Sequence, residues 1–123
     1  MNAAFRFKIF KFWFPVFFYS GIIFYVSSWQ KVPVSPEIPF LDKFLHLLEY
    51  SGLGFLTARA EKATTGFSLG TIGWTAVLFC LLYGLSDEFH QMFVPTREVS
   101  LADVAADTLG GFLGTLMIIR RNT

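Results

Sequence analysis

Residues 67–91 read FSLGTIGWTAVLFCLLYGLSDEFHQ: an uncharged, largely apolar run followed at once by Asp87, Glu88, His90 and Gln91. About 20 helical residues cover the roughly 30 Å of bilayer hydrocarbon, so residues 67–86 read as a transmembrane span and the polar run marks where it leaves the membrane. Pro95 disfavours helix in the residue before it and indicates that the helix stops short of there. Gly84, Asp87, Glu88 and Gln91 would form one stripe at its end.

Three further stretches have the length to span: residues 10–28, 40–58 and 101–119. The first is uncharged and largely apolar after Lys11. The second and fourth carry acids and a histidine, so each must turn a polar stripe toward neighbouring helices and away from lipid. With 123 residues, 54% of them hydrophobic, and sixteen Phe, the chain reads as one domain over residues 1–123. The fold class expected is all-α, a polytopic membrane bundle of about four transmembrane helices. Pro33, Pro36 and Pro39 favour an extended connection after the first span, and residues 59–66 read as a short polar loop. The formal net charge of +1 leaves no basic surface for a nucleic acid. Cys80, the single cysteine, lies inside an apolar run and reads as an inert core thiol.

Four spans put both termini on one side. Arg6, Lys8, Lys11, Arg59, Lys62, Arg120 and Arg121 fall there, against Lys31, Lys43 and Arg97 opposite, which favours termini in the cytoplasm and a multi-pass protein of the cytoplasmic (inner) membrane. Apart from Glu61, the acids lie toward the far side, so a polar site would face outward. A secretory-signal reading of residues 1–28 competes, but the run is long for a signal core and rich in bulky aromatics, which suits a retained helix better.

The residues most costly to place in a membrane gather near three helix ends: Asp42, Lys43, His46 and Glu49; Asp87, Glu88, His90 and Gln91; Arg97, Asp103 and Asp107. On a helix, Asp42, His46 and Glu49 share a face. Ser100 with Asp103 reads as a capping box, a structural role for Asp103 that competes with a functional one. Gly110 and Gly114 have the spacing that lets another helix approach closely. Asp42, His46, Asp87 and Glu88 are the candidates for proton transfer in a catalytic set completed by Gln91, orienting the headgroup or a water, and Asp103, orienting Arg97 or His46; Lys43, Arg97, His90 and Asp107 are the candidates for ligand binding. Arg97 also has a plain reading as a loop ion pair, and Lys43 as a snorkelling side chain. The two histidines and the acids supply ligands, but their spacing matches no diagnostic metal motif, so no metal is assigned and any cofactor is unknown.

Taken in order, Asp42-Lys43-Phe44-Leu45-His46, Asp87-Glu88-Phe89-His90-Gln91, Arg97 with Ser100 and Asp103, and Ala106-Asp107-Thr108-Leu109-Gly110 resemble the VanZ-like family of small membrane proteins. Asp107 stands where Asn is common in that pattern. The resemblance implies a multispan inner-membrane protein, with a name-giving member associated with resistance to the glycopeptide teicoplanin. Two functions are then expected. One is an outward-facing site for an anionic, lipid-linked envelope ligand or membrane lipid, with turnover left open. The other is a non-enzymatic scaffold in an envelope complex, meeting a partner helix or a second copy through Gly110 and Gly114. Proton-coupled transport ranks below both, because the chain is short and lacks an internal repeat.

Overall fold

The computed structural model describes residues 1–29, 41–95 and 100–121. They form four helices: α1 (Ala3–Ser27), α2 (Leu41–Thr64), α3 (Leu69–Gln91) and α4 (Leu101–Arg120). At 1.5 Å per residue these run about 30 to 37 Å, a bilayer's thickness. Three of them, α1, α3 and α4, are both long and apolar enough to cross a membrane. Helix α2 matches them in length but carries Asp42, Lys43, Glu49, Arg59, Glu61 and Lys62.

The packing resolves that difference. Helix α2 touches all three of the others and lies most extensively along α4, whereas no contact joins α1 to α4 among the described residues. The least apolar helix is therefore the most enclosed, and His46, Tyr50, Leu53, Gly54, Thr57, Ala58, Ala60 and Glu61 are buried along it. The apolar surface lies outside: Phe17 is 67% exposed, Trp74 82% and Leu101 80%. Large apolar side chains exposed on all four helices suit lipid and not water.

The small residues of α4 set its distance from α2. A Cβ on Gly110 would collide with the Leu47 carbonyl, one on Gly114 with the Ser51 carbonyl, and one on Gly54 with the backbone of Gly111. The face expected to receive another helix is thus taken up by α2 of the same chain, and a second copy could meet it only by displacing α2. Cys80 is fully buried where a Cβ on Gly111 would come within 2.5 Å of it.

Two boundaries differ from the sequence expectation. Helix α1 begins at Ala3, not near residue 10, with Asn2 accepting the Phe5 amide hydrogen as its cap. Helix α2 continues through the expected 59–66 loop to Thr64, because Ala58, Ala60, Glu61, Lys62 and Ala63 include strong helix formers. Glu61 accordingly is not a loop acid. It is 6% exposed and accepts a hydrogen bond from Thr75 Oγ1 of α3 at 2.6 Å. Thr75→Val removes that donor from a buried carboxylate and should cost about 1–3 kcal/mol, read as a lowered unfolding midpoint in detergent. Retention of wild-type stability would show that the bond does not hold α2 to α3. The proline-rich connection lies outside the described residues.

Candidate functional site

The chain's direction alternates from helix to helix, so the N-terminal ends of α2 and α4 and the C-terminal ends of α1 and α3 share one end of the bundle. There the first turns of α2 carry Asp42, Lys43 and His46, and the first turns of α4 carry Asp103 and Asp107. His46 Nδ1 lies 2.8 Å from Asp107 Oδ1. A carboxylate only accepts, so Nδ1 carries the hydrogen and Nε2 is the basic nitrogen. Nε2 lies 3.9 Å from Asp42 Oδ1 and 3.9 Å from Asp103 Oδ2. Lys43 Nζ engages the opposite oxygens, Asp103 Oδ1 at 2.5 Å and Asp42 Oδ2 at 3.4 Å. Burial is nearly complete on the α4 side, with Asp103 4% and Asp107 0% exposed.

Asp107 has room for its carboxylate because α3 presents Gly84, where a Cβ would stand 3.0 Å from Asp107 Oδ2. That oxygen is buried and has no hydrogen-bond partner among the described residues. Helix α3 runs on to Gln91, so Asp87, Glu88 and Gln91 occupy its last turns and all three are buried, as the stripe through Gly84 predicts. Asp87 and Gln91 join Asp42, Leu45, His46 and Glu49 around a cavity of about 140 Å³, which Val26 and Ser27 of α1 wall on the remaining side. A histidine whose orientation is fixed from behind by a carboxylate, beside a small polar cavity, is equipped to move a proton.

The capping box does not form. The Ser100 side chain caps no amide. Instead the Ser100 amide donates to Glu88 Oε2 of α3 at 2.8 Å, and the Asp103 carboxylate turns to Lys43. A charge-assisted bond to an ammonium is stronger than one to a neutral amide, and Glu88 already serves the amide. The other Glu88 oxygen, Oε1, is buried without a hydrogen-bond partner among the described residues.

His90 departs from the cluster. Its ring stacks on Phe24 of α1 at 4.2 Å between centroids, and its Nε2 lies 3.3 Å from Ser28 Oγ. It belongs to the α1–α3 contact, a placement the Asp87-to-Gln91 motif does not reveal because position 90 falls on a different face from 84, 87, 88 and 91. Arg97 lies outside the described residues. The α1 wall escaped the sequence reading, although Val16, Ser20, Ile23 and Ser27 recur at helical spacing and form the buried face of α1. Tyr19 adds a bond from its hydroxyl to the Glu49 carbonyl at 2.5 Å, and the Tyr83 hydroxyl donates to the Ser20 carbonyl.

For a metal, the arrangement offers one atom each from Asp42, His46 and Asp103, all within 4.8 Å of one another. The ammonium of Lys43 already stands at both carboxylates.

Three apolar spans, a polar central helix and a buried carboxylate–imidazole cluster define a multi-pass helical membrane protein. A family model described as VanZ/LLP1 matches residues 2–121, and the chain belongs to that family. No curated protein and no solved structure matches it.

Proposed function

We propose that this VanZ-family membrane protein holds the anionic headgroup of a lipid-linked envelope component at the His46 cavity, and that the occupied site affects sensitivity to teicoplanin. The observation that carries this reading is His46 itself: it is 6% exposed, clamped by Asp107, and borders a cavity shared by α1, α2 and α3. In this reading α2 crosses the inner membrane with the other three helices, both termini are cytoplasmic, and the cavity opens toward the outer leaflet. Lys43 and Arg97 neutralise the anion, and Asp103 holds Lys43 in place. His46 Nε2 exchanges a proton with the headgroup or a water, Asp42 and Asp87 set the local charge, Glu88 anchors the start of α4, and Gln91 orients the bound group.

A second reading has its own observation. Lys43 to Asp103, at 2.5 Å, joins α2 to α4 and is a sound structural tie in a scaffold that assists a larger envelope complex. Complementation of a strain lacking the protein separates the two, with teicoplanin sensitivity scored and membrane levels checked. His46→Asn should lose function at normal protein levels, and combining Lys43→Asp with Asp103→Lys should restore insertion without restoring function. Full activity of His46→Asn, or full rescue by the exchanged pair, would give the scaffold reading precedence.

A further inference from the structure

At the end of the bundle opposite His46, α1 and α4 make no contact among the described residues, which leaves a crevice floored by α2. Its cavity, about 470 Å³, is lined by Phe12 of α1, by Phe55, Arg59, Lys62 and Ala63 of α2, and by Ile118 and Arg121. Three cations therefore converge on one cavity from two helices, and among the described residues no acid lines it. Cations near helix C-termini complement the helix dipole, which accounts for Lys62 and Arg121. Arg59 is set further back, and its guanidinium is held over the Phe12 ring at 4.7 Å from the centroid.

The order of residues along the helices matters more than their number. Phe55 and Arg59 are four apart on α2, Ile118 and Arg121 three apart at the end of α4, so on each side an apolar residue lies one turn deeper than a cation. The crevice is thus apolar toward the middle of the bundle and cationic at its rim. That sequence along the membrane normal matches a phospholipid, with acyl chain below and phosphate above.

We infer that the α1–α4 crevice is a binding site for an anionic membrane phospholipid, its phosphate held by Arg59, Lys62 and Arg121 and its acyl chain against Phe55 and Ile118. A soluble phosphate would meet the cations but leave the apolar depth unused. A zwitterionic lipid would fill the depth but bring its own cation to the rim. The site is separate from the His46 cavity and stands whether or not that cavity acts as proposed.

The test uses the full chain purified in a neutral detergent, titrated with phosphatidylglycerol, phosphatidylcholine or inorganic phosphate, and read by native mass spectrometry. One phosphatidylglycerol should be retained per chain, phosphatidylcholine should not be, and equimolar phosphate should fail to displace the lipid. Arg59→Gln with Arg121→Gln should weaken retention roughly twentyfold, while Arg6→Gln with Lys8→Gln, which removes equal charge outside the crevice, should leave it unchanged. Ala63→Trp, which fills the cavity and keeps every charge, should abolish retention and guards against misfolding of the arginine variant. Equal retention of phosphatidylcholine, displacement by phosphate, an equal loss in the Arg6 and Lys8 variant, or undiminished retention by Ala63→Trp would each overturn the inference.

Discussion

Gly114→Ala is expected to lower the stability of the bundle by about 3 kcal/mol or more, beyond the usual 1–3 kcal/mol for adding a methyl group to a packed interior. The added Cβ would fall on the Ser51 carbonyl and stand 2.8 Å from the Phe55 amide nitrogen, both on the backbone of α2. A side chain can swing aside, but a helix backbone can yield only by moving the whole helix. Inside a membrane the close approach of two helices is itself the source of attraction, since lipid replaces lost contacts without hydrophobic gain. Separation of α2 from α4 would also withdraw Asp103 from Lys43 and Asp107 from His46, so function should be lost even in the fraction that inserts. Unfolding in detergent measures the effect, with Gly21→Ala as the control: nothing lies within 4 Å of a Cβ there, and alanine favours the helix. Equal stability in the two variants would mean that α4 is not seated on α2 through Gly114.

The helices were legible because lipid imposes one simple demand, a long apolar run, and α1, α3 and α4 meet it. The importance of α2 was legible for the converse reason. A helix with six charged residues survives in this setting only with a polar stripe turned to other helices, which its composition indicated for α2 as for α4; that α2 is the one touching all three others comes from the packing. Helix ends were less legible: the helix formers around Glu61 are a weak local signal against a polar loop, and the burial of that carboxylate follows only from Thr75 of α3 facing it. The same limit applied to Ser100 and Asp103. Their spacing satisfies a capping box, yet Lys43 and Glu88, distant in sequence, compete for the same groups and bind them. Asp103 and Asp107 stand four apart, about one helical turn, but only the assembled bundle supplies the imidazole between α2 and α4. His90 illustrates the opposite error, since membership in a polar motif says nothing about which face a residue occupies.

What His46 requires of Asp107 is an acceptor for its Nδ1 hydrogen, and this separates two substitutions of similar size. Asp107→Asn keeps a carbonyl oxygen at the position of Oδ1, 2.8 Å from Nδ1, and should hold the ring in the same tautomer with Nε2 basic. Function should fall no more than a few-fold, in keeping with the resemblance of this segment to a pattern in which asparagine is common. Asp107→Leu offers no acceptor. The Nδ1 hydrogen would then be buried without a partner at a cost of about 1–3 kcal/mol, and the freed ring would no longer present Nε2 between Asp42 and Asp103. If proton transfer at Nε2 underlies the function, its loss should be on the order of a hundredfold or more. Nitrogen NMR of histidine-labelled protein reads the tautomer directly, and complementation reads the consequence. A leucine variant that keeps full function would remove His46 from the chemistry altogether. An asparagine variant that keeps the tautomer but loses function would assign the role to the charge of Asp107, leaving the cluster's electrostatics, and not the orientation of the ring, as the property on which the site depends.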